Sequence, residues 1–428
     1  MKEKTNENNA DPCLPGGLMS AEQWTLPETS VRRSLKDAIG YALTRLRAGV
    51  SQAEEPFESM DELPELSAAQ QKRLAPEPDY ARQAVAIASS LEQAHSEGAL
   101  SREVVCMVAP PFSGVQQSLA CFSEPGPSGF IPGSAGEWTV IAPPDALAFS
   151  DQEASEWWDK QDLSRPWVIP ELAEFWLRRL SGLALVKELF RRIANGDTGA
   201  GVVGCSSWCW RYWGHYLENA QMSPWTLAPM NSERLGSWFT YLASGAKKSS
   251  VIARMTGDGH YVLPQSEADE IEKKNSKKRK HSNFLRDLAA TSRGNPGVAL
   301  AIWQRSLRAQ PDDDAKLEDD ENSENHSRAA DCWVVPLERL SLPTMPQSKE
   351  SVTGFVLHGL LLHNGLDTAS LEVITGVSAY ELSLVLSRLK RAELVTCEQP
   401  HERWRVTAIG YPTVRRHLQS WGFPLDQF

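Results

Sequence analysis

The apolar positions of the chain fall into two spacings. Three short runs, VVCMV at 104–108, WTVIA at 138–142 and GVVGC at 201–205, are continuous and rich in β-branched residues, the pattern of strands buried on both faces. Elsewhere apolar residues recur every three or four positions, the period of one helix face. Leu35, Ile39, Leu43 and Leu46 set such a stripe over 31–50, and 79–97 reads as a second helix. Leu172, Trp176, Leu180, Leu183, Val186, Phe190 and Ile193 predict one long helix from Glu171 to Ala194, opened after Pro170 and stopped by Asn195-Gly196. Strands alternating with helices predict an α/β fold, with a parallel sheet and right-handed crossovers.

The last hundred residues change period again. Helices are predicted over about 349–363, 368–375 and 379–392, the third started by Ser378 with Glu381 three residues on. Leu394–Cys397, a turn at 398–402 and Trp404–Thr407 read as a hairpin with alternating faces, and a last helix spans about 411–421. Three helices and a hairpin predict a winged helix-turn-helix. Two charge blocks separate the parts: a basic run from Lys273 to Lys280, and 312–324 with eight carboxylates and one lysine. Such blocks read as solvated loops. The expected division is an arm without fixed structure at 1–30, a helical region at 31–97 and an α/β domain at 98–255. A charged loop at 256–283, helices at 284–310, an acidic linker at 311–330 and the winged helix at 331–428 follow.

The first strand runs into Ala109-Pro110-Pro111-Phe112-Ser113-Gly114-Val115-Gln116 and then a predicted helix. Strand, tight loop and helix are the setting of a phosphate-binding P-loop, GxxxxGK[ST]. The spacing from Ala109 to Gly114 fits. Ala109 stands for the first glycine, Val115 for the lysine that reaches the β and γ phosphates, and Gln116 for the hydroxyl residue that holds Mg²⁺. Gly114 and the backbone N–H groups remain. The third strand ends in Cys205-Ser206-Ser207, with no carboxylate, and Ser206 is the candidate to orient a phosphate or water. In Trp167–Leu172 a proline, Pro170, stands where an acidic motif would have its aspartate, and Glu171 is the one acid left.

Further on, Gly294-Asn295-Pro296 opens a helix after 284–292. This segment resembles the lid helix of the STAND and origin-recognition branches of the AAA+ ATPases, which carry Gly-x-Pro or Gly-x-x-Arg there, followed by a winged helix. The Gly-x-Pro form is present, while Gly297 occupies the arginine position of the other form. The resemblance covers about 80–428 and lies in the order of parts: loop, strands, lid opening and winged helix. It implies a P-loop-type sheet with flanking helices, a helical lid and a C-terminal winged helix. It also implies a switch or adaptor role, with ATP or ADP as the ligand such a loop would take. With lysine, Mg²⁺ hydroxyl and acidic base missing, ATP hydrolysis is not expected.

Composition narrows this reading. Lys and Arg number 44 against 55 Asp and Glu, a net charge of −11, which argues against a general polyanion binder. Residues 348–428 carry eight basic and eight acidic side chains. A protein-docking role for the winged helix therefore stands beside a DNA-reading one. The latter would use Ser378, Tyr380, Ser383, Ser387, Arg388 and Arg391 of the third helix with Arg403 and Arg405 of the wing. The seven cysteines are scattered without a CxxC pair, as expected of reduced thiols in a cytoplasmic protein, and no run of about 18 apolar residues suggests a membrane span. Ten of the fifteen tryptophans lie between Trp138 and Trp238, marking an aromatic core or a contact face for a protein partner.

Overall fold

The structure is a computed structural model that describes residues 11–27, 63–100, 103–123, 138–217, 224–244, 251–264, 280–309, 330–347, 352–399 and 402–428. The sequence-predicted helix at 31–50, the acidic run, and all of the basic run but Lys280 lie outside the described residues. The fold is mixed α/β, with a six-stranded, mostly parallel sheet and thirteen α-helices among the described residues. It divides into two units, one made of Met1–Thr25, Asp79–Pro229 and Leu342–Phe428, the other of Leu26–Pro78 and Met230–Ser341.

The first unit holds the large sheet. Its strands are β1 (Leu18–Ser20), β2 (Val104–Ala109), β3 (Thr139–Val140), β4 (Trp167–Ile169), β5 (Gly201–Ser206) and β6 (Pro224–Leu227), in the order β1-β6-β2-β5-β4-β3. All neighbours are parallel except β1, which runs antiparallel to β6. β2 and β5 pair along their whole length, from Val104 opposite Gly201 to Ala109 opposite Ser206, so their carboxyl ends finish side by side. Every residue of both strands is buried. Alternation explains why. Val104, Cys106 and Val108 join one core, with Trp158, Trp176, Trp213 and the helix Ala184–Asn195. Val105, Met107 and Ala109 join the other, with Ile87 and Leu91 of the helix Tyr80–Ser96, Leu119 and Phe122.

The predicted long helix is not continuous. The chain instead makes β4, a 3₁₀ turn at Leu172–Phe175, extended backbone at Trp176, a second 3₁₀ turn at Leu180–Gly182, and only then the helix Ala184–Asn195. The apolar spacing is real, but Trp176 meets it by insertion. Its ring stacks on Tyr212 at 4.5 Å, lies 4.4 Å from His363, and donates from Nε1 to Cys209 Sγ at 3.3 Å. Packing overrides helix periodicity there. The tryptophan concentration is therefore largely core: Trp158, Trp167, Trp176, Trp208 and Trp213 are all fully buried. β1 and β6 carry no apolar run long enough to signal a strand, and the reading of 1–30 as an arm passes over β1.

The second unit contains β7 (Val251–Met255), β8 (Leu307–Arg308) and β9 (Ala330–Val334), with β9 central, parallel to β7 and antiparallel to β8. Val251–Met255, which the sequence division assigns to the α/β domain, belongs here. The helices Phe284–Ser292 and Pro296–Ser306 pack through Phe284 and Trp303, and Trp303 stacks on Phe239 at 4.9 Å. Asn295 caps the second helix, its Oδ1 accepting from Val298 N at 3.2 Å, with Pro296 in the first turn.

The C-terminal part of the first unit is the helices Val352–Leu362, Thr368–Thr375 and Ala379–Arg391, the hairpin β10 (Val395–Glu398) and β11 (Arg403–Val406), and the helix Tyr411–Ser420. Asp367 and Ser378 cap the second and third helices through the N–H groups of Ser370 and Glu381. Leu360, Leu371, Leu382, Leu386, Leu389 and Val406 make the shared interior. Among the described residues no single helix is long and apolar enough to cross a membrane.

Candidate functional site

The turn after β2 is where the sequence places it. Val108 and Ala109 complete the strand, Gly114 caps the next helix with φ of +86°, and Val115–Ala120 form that helix. Phe112 also has a positive φ, 70°, a conformation that costs a non-glycine residue of the order of 1 kcal/mol. Its ring packs edge-on against Tyr411 at 5.6 Å, and the Tyr411 hydroxyl is bonded to Trp208 Nε1 at 3.0 Å. The loop is thus shaped by the helix that closes the C-terminal bundle.

Beside the loop lies a cavity of about 410 Å³. All eight loop positions from Ala109 to Gln116 line it, with Pro170 and Glu171 after β4, Ser206 at the end of β5, and Asn364, Gly365, Glu398 and Arg405 from the C-terminal helices and hairpin. In an α/β sheet, ligands bind outside the carboxyl ends of the strands where the crossovers diverge. Here the chain leaves β2 toward β3 on one side and passes from β5 to β6 on the other, so the cavity occupies that place.

Its polar groups form one network. Glu171 is buried, and its Oε1 accepts from Ala173 N at 3.0 Å and Ser206 N at 2.9 Å. Asn364 Nδ2 donates to Gln116 Oε1 at 2.7 Å and reaches Glu171 Oε2 at 3.5 Å. Gln116 Nε2 donates to Glu174 Oε1 at 3.2 Å, and the same oxygen takes Arg403 at 3.1 Å and Arg405 at 3.4 Å. Arg405 also pairs with Glu398 at 3.3 Å. Ser206 Oγ is buried without a hydrogen-bond partner among the described residues. Burial pushes the Glu171 carboxyl up to about 7; the N–H groups of Ala173 and Ser206 oppose this, and the Glu174 charge adds to it. Burial likewise holds the Cys106 and Cys205 thiols well above their ordinary value, so neither is an available thiolate.

The sequence-predicted nucleotide residues are divided between the two units. Ala109–Gln116 and Ser206 come together in this cavity, whereas Gly294, Asn295 and Pro296 belong to the second unit, where they serve as a helix cap. The predicted DNA-reading set separates too. Ser378, Tyr380, Ser383, Ser387, Arg388 and Arg391 are exposed, but Arg403 and Arg405 are turned to Glu174. Asn364 and Glu174 carry no sequence signal for this role. Asn364-Gly365 reads only as a helix stop, and its partner Gln116 is 248 positions away.

Glu174 fastens both hairpin arginines. Glu174→Ala leaves two partly buried guanidinium groups without that carboxylate and is expected to cost about 2 kcal/mol in urea unfolding. Among the described residues, no group of three or more His, Cys, Asp or Glu is placed to hold a metal ion. A scan against protein-family models and a search of curated proteins return no match to the chain.

Proposed function

We propose that the chain is a P-loop-type, AAA+-like regulatory module that does not turn over nucleotide and acts through protein contacts, with a C-terminal winged helix held against the worn loop. Several features support this reading. The turn follows β2, Ser206 ends the adjacent β5, and the acid Glu171 follows β4 on the far side of β5. The helices and hairpin of 352–420 stand in the order a winged helix requires.

One observation carries the loss of turnover. The loop has no lysine, and the one cation that lines the cavity among the described residues, Arg405, is already matched by Glu174 and Glu398. Gln116, at the position of the Mg²⁺ hydroxyl, is spent on Asn364 and Glu174. A triphosphate would meet two carboxylates beside one neutralised guanidinium, the opposite of the clamp that phosphoryl transfer needs. ATP or ADP is held weakly at most. Titration calorimetry with each nucleotide, with and without Mg²⁺, is expected to give dissociation constants above about 100 μM and no Mg²⁺ dependence. Micromolar, Mg²⁺-dependent binding would restore the ATP-dependent switch.

A further inference from the structure

The cations of the C-terminal bundle are unequally used. The hairpin pair, Arg403 and Arg405, is compensated by Glu174 and Glu398. At the end of the helix Ala379–Arg391 the situation is reversed. Arg388 pairs with no acidic group among the described residues, and Arg391 bonds only to the Ser387 carbonyl of its own helix. The same solvent stripe, at helical spacing, carries Tyr380 at 76% exposure and Leu384 at 42%. The opposite stripe, Leu382, Val385, Leu386 and Leu389, is buried, so the helix is already anchored and the outer apolar residues are surplus to its packing.

We propose that this outer stripe docks an acidic protein segment bearing apolar side chains. Tyr380 and Leu384 take the apolar anchors, and Arg388 and Arg391 take the carboxylates. The inference rests on the reading of the chain as a module that acts through protein contacts, and names the surface and the partner's chemistry. An exposed tyrosine on the same stripe as unpaired arginines supplies two of the residue types enriched at interface hot spots. Nucleic acid fits less well. The amino-terminal half of such a helix is the part that meets base edges, and here it offers Tyr380, Glu381 and Leu384 rather than arginine, asparagine or glutamine. With Arg403 and Arg405 turned inward and Lys390 over the Trp404 ring at 5.9 Å, Arg388 and Arg391 are the cations the helix offers, too few for the roughly six to ten phosphate contacts of a tight duplex binder.

The test uses the full chain at fixed, near-physiological salt. The probe is a fluorescent synthetic peptide of about 15 residues alternating Asp or Glu with Leu and Phe, long enough to span the stripe. One control replaces its apolar residues by serine, another its acids by lysine, and a duplex of about 20 base pairs is the third. Micromolar anisotropy binding of the acidic apolar peptide alone is expected, weakened about tenfold by Tyr380→Ala and again by the double change Arg388→Glu, Arg391→Glu. Both sites are exposed, so circular dichroism should be unchanged. Three binding results would overturn the proposal: no binding of the acidic apolar peptide, binding indifferent to both variants, or duplex binding tighter than peptide binding. A dimer in sedimentation that Tyr380→Ala dissolves would overturn it in favour of a second copy. None of these outcomes depends on the nucleotide titration, so this surface and the loop reading fail separately.

Discussion

Gly204→Ala is expected to remove about 3 kcal/mol of stability, the upper end of what a single overpacked methyl group costs. Gly204 lies in β5, where a Cβ would stand 2.1 Å from the Pro170 carbonyl oxygen and 2.7 Å from Leu119 Cδ1. A leucine tip can turn away. A backbone carbonyl at the end of β4 cannot, without moving the residue that follows it. That residue is Glu171, whose Oε1 takes Ser206 N two positions beyond Gly204 at 2.9 Å. The substitution should therefore loosen the β4–β5 junction and the cavity together. The melting temperature should fall by about 3–6 °C. Gly214→Ala is the control: a Cβ there meets nothing within 4 Å, and alanine in the helix Ser207–Leu217 should stabilise by about 0.5–1 kcal/mol. Equal melting temperatures for the two variants would show that the close approach is not a constraint.

The same glycine shows where sequence reading reaches its limit. GVVGC is legible as a strand because it is short, apolar and β-branched. The need for glycine at its fourth position comes from Pro170, just after another strand, and no local pattern carries that. The two strands that frame the loop, the helix Tyr80–Ser96 and the bundle after 352 were legible because each buries a face set by its own period. The helix expected over 171–194 failed because Trp176 fills a gap between Tyr212, Trp213 and His363, residues that the chain brings in from elsewhere. The loop at Ala109–Gln116 was legible by spacing. What occupies it was not, since Gln116 is engaged by Asn364 and Glu174 through contacts across the fold. Arg403 and Arg405 illustrate the same limit. On the sequence they are cations of a hairpin free to meet phosphate, and only the packed structure supplies Glu174.

A buried carboxyl with a raised pKa makes the fold less stable as it ionises, and Glu171 should reveal this against an opposing background. Its carboxyl, ordinarily near 4.5, is held at about 7 in the folded chain. Below pH 4.5 both states hold the proton and the group contributes nothing. Between 4.5 and 7 the folded state holds more protons than the unfolded one, so stability falls as pH rises through that window. The full loss above pH 7 is about 3 kcal/mol, from the size of the shift. His358 and His363 act the other way. Burial lowers them to about 4 and about 3, so the stability they contribute is complete above their ordinary value of 6.5 and is lost as pH falls through the depressed values. The wild-type profile sums these terms and shows neither cleanly. Glu171→Gln separates them. Its amide oxygen can keep the bonds from Ala173 N and Ser206 N, while its amide nitrogen faces Asn364 Nδ2, a constant cost independent of pH. The stability of the variant relative to wild type, from urea unfolding at pH 5 to 8, should climb by about 2.5 kcal/mol across that range. A flat difference would mean that Glu171 stays ionised in the fold, with its charge carried by the two N–H groups and Arg405. A climb would mean that Glu171, beside the loop Ala109–Gln116, is neutral through mildly acidic pH, where it can hold a neutral network together but offers no charge to a cation.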